Sequence, residues 1–315
     1  SDTEVVLRLF EIYGIDMLTR LRGMFAFAIY DKKYAKITLV RDFFGIKPLY
    51  YLKRGDRVSA FSSEIKSFLA IPSFKSEINH RAVFNYLSYQ YNPLPETFFK
   101  GVFKLPPAHS MEIDVKTGRA EIKRCWQFKF KQPLFLSKEK SRQKIFETIN
   151  DSVTHHMVSD VPVGAFLSGG IDSNIIVTLM QKIRGKDKIK TFNMSFESLS
   201  EAGEARETAE LLETEHHEIT VGHKEYFKNL AKAVWHFDEP VADPSAIGLF
   251  FLAREASKHV KVVLSGEGAD ELFGGYNIYL EPFARRKIAL LPRSFLNFLI
   301  KLPFEFRGKN YTRRA

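Results

Sequence analysis

VGAFLSGGIDSNIIV, Val163 to Val177, reads as a strand, a glycine bend and the start of a helix. Val163, Ala165, Phe166 and Leu167 make a short apolar run that breaks at Ser168-Gly169-Gly170. Apolar residues then recur at helical spacing, at Ile171, Ile175, Ile176 and Leu179. This arrangement aims free backbone N–H groups and the positive end of a helix dipole at an anion. Gly169 and Gly170 allow close approach, and the Ser168 and Ser173 hydroxyls add hydrogen-bonding groups. Asp172 is the odd member, because a carboxylate repels a bound phosphate unless a cation lies between them. A Mg²⁺ shared by carboxylate and phosphate oxygens removes the conflict.

The stretch is not a Walker loop, since no Lys follows the glycines. Ser-Gly-Gly-x-Asp-Ser at 168–173 instead resembles the pyrophosphate loop of ATP pyrophosphatases, which split ATP into AMP and pyrophosphate. A second glycine-rich stretch, SGEGADELFGGY at 265–276, follows Val260–Leu264, a run read as a buried strand. Glu267, Asp270 and Glu271 crowd three carboxylates into five residues, which is costly without a cation. The strand Thr191–Phe196 is expected to run alongside, with Met194 against adenine. FDEPVADPS, at 237–245, is expected to add carboxylates and a helix cap at the same rim. His216 and His217 are adjacent on a strand, so they point to opposite faces and do not share a metal.

Around these motifs the chain divides in two. Residues 1–128 read as one strand-rich unit that opens with a helix at Thr3–Tyr13. Hairpins follow at Met24–Tyr30 with Lys36–Val40, at Tyr50–Lys53 with Arg57–Ser62, and at Ser110–Val115 with Arg119–Trp126. Helical patterns cover Glu64–Leu69 and Arg81–Tyr89. Residues 129–136, KFKQPLFL, read as a linker. From Ser137, which caps a helix at Lys138–Val158, strands and helices alternate, which predicts crossover connections and a mostly parallel sheet over 137–315. Ligands of such sheets lie outside the carboxyl ends of the strands. From about Phe283 the sequence still reads as helices.

Composition bounds the function. With 315 residues, 45% of them hydrophobic, the chain can bury two cores. The single Cys125 excludes an intrachain disulfide and a cysteine zinc cluster, and it suits a reducing cytoplasm. The net charge of +10 is dispersed over lysines and the tail, so nucleic-acid binding is not expected. The longest apolar stretches, such as Phe295–Ile300, are too short to span a bilayer, and membrane association is not expected. Residue 1 falls directly before a helix and is not Met, so the chain is expected to be a piece of a longer one.

SDTEVVLRLFEIYG, LRGMFAFAIYD, RDFFGIKPLYY, FSSEIKSFL and GVFKLPPAHSMEI together resemble the C-terminal two-thirds of a class II glutamine amidotransferase domain, the Ntn-type glutaminase. That resemblance implies stacked antiparallel sheets and an N-terminal Cys nucleophile whose own amine is the base. No such Cys occurs in this sequence, and neither does the Asn-Gly-Glu loop that binds glutamine. Of the family's glutamine contacts only Asp2 carries over. Ser1 is not read as a nucleophile, because its neighbours match an internal helix start. Cys125 is read as a small core or surface residue.

The glutaminase segment, LSGGIDS, DEPVADPSAI and KVVLSGEGADELFGGY, in that order, resemble the glutamine-dependent asparagine synthetases. The resemblance implies an adenine nucleotide α-hydrolase-like ATP-pyrophosphatase fold after residue 137, incomplete at its C-terminus. It implies AMP contacts from Leu167, Met194, Ser265 and Gly266, and a pyrophosphate cradle of Ser168, Gly169, Gly170, Asp172 and Ser173. Asp172 and Asp270 would take Mg²⁺, and Glu267 matches the Glu linked to formation of β-aspartyl-AMP. The implied reaction is amidation of aspartate with ATP and ammonia from glutamine, in a protein that is a homodimer at full length. This chain by itself is expected to lack glutaminase activity and to make little or no asparagine. Two other readings stay open: adenylation of another acid or peptide, and a non-catalytic role in binding nucleotide or pairing with a partner.

Overall fold

The computed structural model describes residues 1–129, 135–196, 202–283 and Arg286. The chain forms two compact units, Ser1–Lys144 with Thr220–Arg254, and Ile145–Ile219 with Glu255–Ala315. The expected helices beyond Phe283 and most of the 129–136 linker lie outside the described residues.

In the first unit, α1 (Asp2–Tyr13) starts where its cap dictates, with Ser1 Oγ accepting the Glu4 N–H at 3.4 Å and Asp2 and Glu4 in the first turn. A 3-10 turn at Gly14–Arg20 follows, burying Met17 and Leu18. Strands β1 (Ala26–Asp31) and β2 (Lys36–Arg41) form a hairpin with Phe27 opposite Val40. Strands β3 (Tyr50–Arg54) and β4 (Arg57–Ser62) form the next, and a 3-10 turn at Ile65–Ala70 replaces the helix expected there. Then come α2 (His80–Tyr89), β5 (Val102–Lys104), β6 (His109–Asp114) and β7 (Ala120–Arg124).

Two antiparallel sheets result, ordered β1-β2-β6-β7 and β4-β3-β5. Leu39, Met111 and Ile113 of the first and Tyr51 and Val58 of the second share one core with Leu49 and Leu105. The three residues of β5 are too few to read as a strand by pattern and become one by pairing with β3. The loop after β2 is held from inside. Asp42, 1% exposed, accepts the N–H groups of Phe44, Ile46 and Lys47 at 3.1, 2.9 and 2.8 Å. Arg41 answers by donating to the carbonyls of Gly45, Lys47 and Leu105.

The second half of the chain continues with α3 (Lys138–His156), β8 (Val163–Phe166), α4 (Ile171–Arg184), β9 (Lys190–Phe196), α5 (Ala202–Leu211) and β10 (Glu215–Val221). Helices α6 (His223–Phe237) and α7 (Ser245–Ala256) then lead to β11 (Val262–Leu264) and α8 (Ala269–Phe273). The sheet is ordered β10-β9-β8-β11, with β8 parallel to both β9 and β11. Val163, Ala165, Leu167, Val177, Met180 and Ile189 lie in its core. The chain therefore steps outward from β8 through β9 to β10, then returns to the opposite side of β8. Ligands of open sheets bind at the strand ends where the order reverses, and here that reversal falls between β8 and β11. Among the described residues no helix is long and apolar enough to cross a membrane.

Two results are expected from this packing. A Cβ at Gly164 would lie 2.8 Å from the Lys190 carbonyl oxygen and 3.0 Å from the Phe192 ring. Gly164→Ala should therefore cost about 1–3 kcal/mol by overpacking, read from urea denaturation, and an unchanged midpoint would contradict so close an approach. In the first unit, burial and the nearby carboxylates of Glu239 and Asp238 push the Tyr50 phenol up to about 12. The unfolded chain releases that proton near its ordinary value, so the stability Tyr50 contributes is complete below about 10 and is lost as pH rises from there towards 12. Tyr50→Phe should thus narrow the alkaline loss of stability, measured by denaturation across that window.

Candidate active site

The first bend follows directly from β8. Leu167, 2% exposed, donates its N–H to the Phe192 carbonyl at 2.9 Å, and its own carbonyl accepts from Asn193 Nδ2 at 2.7 Å. Both of its backbone polar groups are thus engaged with β9. Ser168 and Ser173 close the bend on itself, with hydroxyl oxygens 2.9 Å apart and the Ser168 N–H donating to Ser173 Oγ at 3.1 Å. Gly170 N–H donates to Ser168 Oγ at 3.2 Å, and Asn174 Nδ2 donates to the Gly170 carbonyl at 2.7 Å. Gly170 sits at the N-cap of α4 with no side-chain cap, so the 14-residue helix presents its first N–H groups at the bend.

The second bend leaves β11, whose residues Val262, Val263 and Leu264 lie opposite Val163, Gly164 and Ala165 of β8. Parallel pairing in this register brings both bends out at the same edge, and they touch. A Cβ on Gly266 would lie 2.9 Å from Asp172 Cβ and 3.0 Å from the Ser173 nitrogen. Gly268, at φ 88, caps α8, and the Asp270 carbonyl accepts the N–H groups of Gly274 and Gly275 at 2.8 and 3.0 Å. Glu267 is exposed, while Ser265, Gly266 and Asp270 are half-buried. Tyr276 donates to Glu271 at 3.0 Å, and this bond holds its phenol above the ordinary value.

The other expected residues fall as follows. Met194 lies half-buried on β9, two residues beyond Phe192, which pairs with Phe166. Asp2 is exposed in the first unit, where its carboxylate accepts the Thr3 N–H at 2.8 Å. His216 and His217 do point apart: His216 Nδ1 meets Thr191 Oγ1 at 2.9 Å, whereas the His217 ring stacks on Phe192 and lies 4.0 Å from that of His259. Asp243 caps α7 by accepting the Ser245 N–H at 2.8 Å. The carboxylates of Asp238 and Glu239, expected at the nucleotide rim, are instead engaged within the first unit with Lys66 and Lys104.

One contact had no signal in the sequence. Glu204, near the start of α5, lies against the first bend so closely that a Cβ on Gly169 would collide with its Oε2. The absence of a side chain at Gly169 leaves room for this carboxylate.

A divalent cation is compatible with this donor set. Among the described residues no cluster of three or more His, Cys, Asp or Glu side chains is formed that would enclose a metal. Mg²⁺ at phosphate sites takes only one or two carboxylates and completes its shell with phosphate oxygens and water. Asp172 on one bend and Asp270 on the other are the carboxylates such an ion could use; Asp172 lies against Gly266, and Asp270 Oδ1 lies close against Gly275 of its own bend.

Residues 144–314 match the profile of the asparagine synthase family, and residues 1–126 match that of the glutamine amidotransferase domain. The glutamine-hydrolysing asparagine synthetase 1 of Bacillus subtilis is 43% identical over 321 residues, covering 100% of this chain and 50% of that protein. A putative glutamine-hydrolysing asparagine synthetase of Mycobacterium tuberculosis is 42% identical over 326 residues, with the same coverage of 100% and 50%. The chain thus spans about half the length of the curated relatives it matches. Among solved structures, the NMN synthetase of Francisella tularensis aligns at 21% identity over 45% of this chain and 59% of that one, with a TM-score of 0.31.

Proposed function

The chain belongs to the asparagine synthase family, and from that premise we propose that the protein containing it makes asparagine from aspartate, ATP and ammonia drawn from glutamine. In this reading residues 1–128 belong to a glutaminase of Ntn type, 129–136 are a linker, and 137–315 belong to an ATP-pyrophosphatase domain. The observation that carries it is the contact of Gly266 with the first turn of α4, which brings two glycine bends together where the strand order reverses between β8 and β11.

The chemistry follows from the residues. The side-chain carboxylate of aspartate is a poor electrophile, so its oxygen first attacks the α-phosphorus of ATP. The bond to the β-phosphate oxygen breaks, giving β-aspartyl-AMP and pyrophosphate. The Ser168–Gly170 bend and the N-terminal amides of α4 receive the negative charge that accumulates on the departing pyrophosphate. Leu167, Met194, Ser265 and Gly266 border the adenylate, and Glu267 stands where the acyl-adenylate forms. Asp172 and Asp270 would hold Mg²⁺, which supplies charge neutralisation at the phosphates. Ammonia then attacks the acyl carbon, the mixed anhydride breaks, AMP leaves, and the nitrogen loses a proton as asparagine forms. Asp2 would contact glutamine in the glutaminase half. The family's substrates are soluble, which fits a cytoplasmic protein with neither nucleic acid nor membrane as partner, and a homodimer is proposed for the full-length protein.

Isotope exchange between pyrophosphate and ATP tests this reading. Exchange that depends on aspartate is expected. Exchange that depends on a different acid would move the substrate assignment, and its absence with every acid from an intact, folded protein would overturn the adenylation step.

A further inference from the structure

Asn193 is 6% exposed and stands on β9 between Phe192 and Met194, inside the second unit. Strands β8 and β9 run parallel, with Ala165 opposite Thr191 and Phe166 opposite Phe192. In a parallel ladder a residue bonds to the two residues that flank its partner. The next rung would thus give Leu167 two bonds, its N–H to the Phe192 carbonyl and its carbonyl to the Met194 N–H. The first is made, at 2.9 Å. The second is not: among the described residues no backbone N–H donates to the Leu167 carbonyl. Asn193 Nδ2 donates to that carbonyl instead, at 2.7 Å in a buried bond, and the strand pairing stops at Phe166. A side chain thus replaces a backbone group. The Met194 N–H, on the side of β9 that faces β8, is left out of the ladder just past the last paired residue.

The replacement is not neutral for the fold. Asn193 Oδ1 is buried and has no hydrogen-bond partner among the described residues, and an unpaired buried acceptor is destabilising. A Leu of similar size would leave no orphan oxygen, and the Leu167 carbonyl would be open to the Met194 N–H. What the Asn supplies is a backbone donor held out of the sheet, beside the bend at Ser168–Gly170.

We propose that Asn193 is a positioning residue for the nucleotide: by occupying the Leu167 carbonyl it keeps the Met194 N–H available to a ring-nitrogen acceptor of the purine base. The inference rests on the reading above, in which Leu167 and Met194 border the adenylate. Amide hydrogen exchange in the intact protein tests it. Without nucleotide, the Met194 amide should exchange at least about tenfold faster than that of Phe192, which lies inside the ladder, and ATP with Mg²⁺ should slow it by a similar factor. Asn193→Leu should protect the Met194 amide with no nucleotide present. The same variant should bind ATP about tenfold more weakly, the scale of one hydrogen bond, with a denaturation midpoint unchanged or higher. A Met194 amide as protected as that of Phe192 in the free wild type overturns the inference, whether or not the variant folds. So does a variant that binds ATP as tightly as wild type. A variant that loses affinity and stability together while its Met194 amide stays open would mark Asn193 as purely structural, which also overturns it. A wild-type protein that binds no ATP overturns the parent reading, and the role of Asn193 with it.

Discussion

Gly266→Ala is expected to lower aspartate-dependent exchange between pyrophosphate and ATP by about two orders of magnitude while leaving a folded protein. The added Cβ would stand 2.9 Å from Asp172 Cβ, 3.0 Å from the Ser173 nitrogen and 3.1 Å from the Asp172 carbonyl carbon. Two of those three atoms are backbone, so relief cannot come from swinging a side chain aside. Either the first turn of α4 retreats or the 265–268 bend moves away from it. In both cases the two bends separate, and the groups proposed for pyrophosphate and for adenylate no longer address one ATP. Misplacement of this kind costs about 10²-fold in rate. Circular dichroism and thermal denaturation separate this outcome from global unfolding, and wild-type exchange in the variant would refute the proposed shared site.

Asp172→Asn should lower the same exchange by about two orders of magnitude or more, because the charge that reconciles the bend with a polyphosphate is removed at constant size. Asp172 Cβ keeps its place against Gly266, so the packing of the bends is preserved. Binding gives a second readout. Nucleotide affinity in the wild type should rise with Mg²⁺, and in the variant it should lose most of that dependence. A variant whose affinity still responds fully to Mg²⁺ would remove Asp172 from the proposed metal set. Gly169→Ala is a useful contrast, since its Cβ would meet side-chain atoms alone: the Glu204 carboxylate, which can rotate away, and Glu204 Cβ at 3.0 Å, which needs a shift of a few tenths of an ångström.

Much of the secondary structure was legible because it is local. The apolar run at Val163–Leu167 followed by glycines gives β8 at Val163–Phe166 and α4 from Ile171, within a residue or two of the reading. The opening helix, the β1–β2 and β6–β7 hairpins, and the alternation of helices with strands were legible for the same reason. Strand β5 was not, since its three residues are strand only through pairing with β3. The turn at Ile65–Ala70 shows helical periodicity but is too short to distinguish α from 3-10 winding by pattern.

The candidate site divides along the same line. Its residue types and their order along the chain, two glycine bends with carboxylates after apolar strands, are properties of the sequence by itself. They were enough to point to a polyphosphate and a cation. Three things came only from tertiary structure. Pairing of β11 beside β8 decided that the bends share one edge, because strand order is a long-range choice that no local pattern encodes. Packing of α5 brought Glu204 onto Gly169, across more than a whole strand and helix of intervening chain. Burial against elements far earlier in the sequence engaged Asp238 and Glu239 with the N–H groups of Ile65 and Phe98 and with Lys66 and Lys104, since a desolvated carboxylate goes where N–H groups and lysines satisfy it. The sequence by itself determined which chemistry is available; which of its carboxylates face that chemistry was decided by the fold, because electrostatic partners are chosen by distance in space.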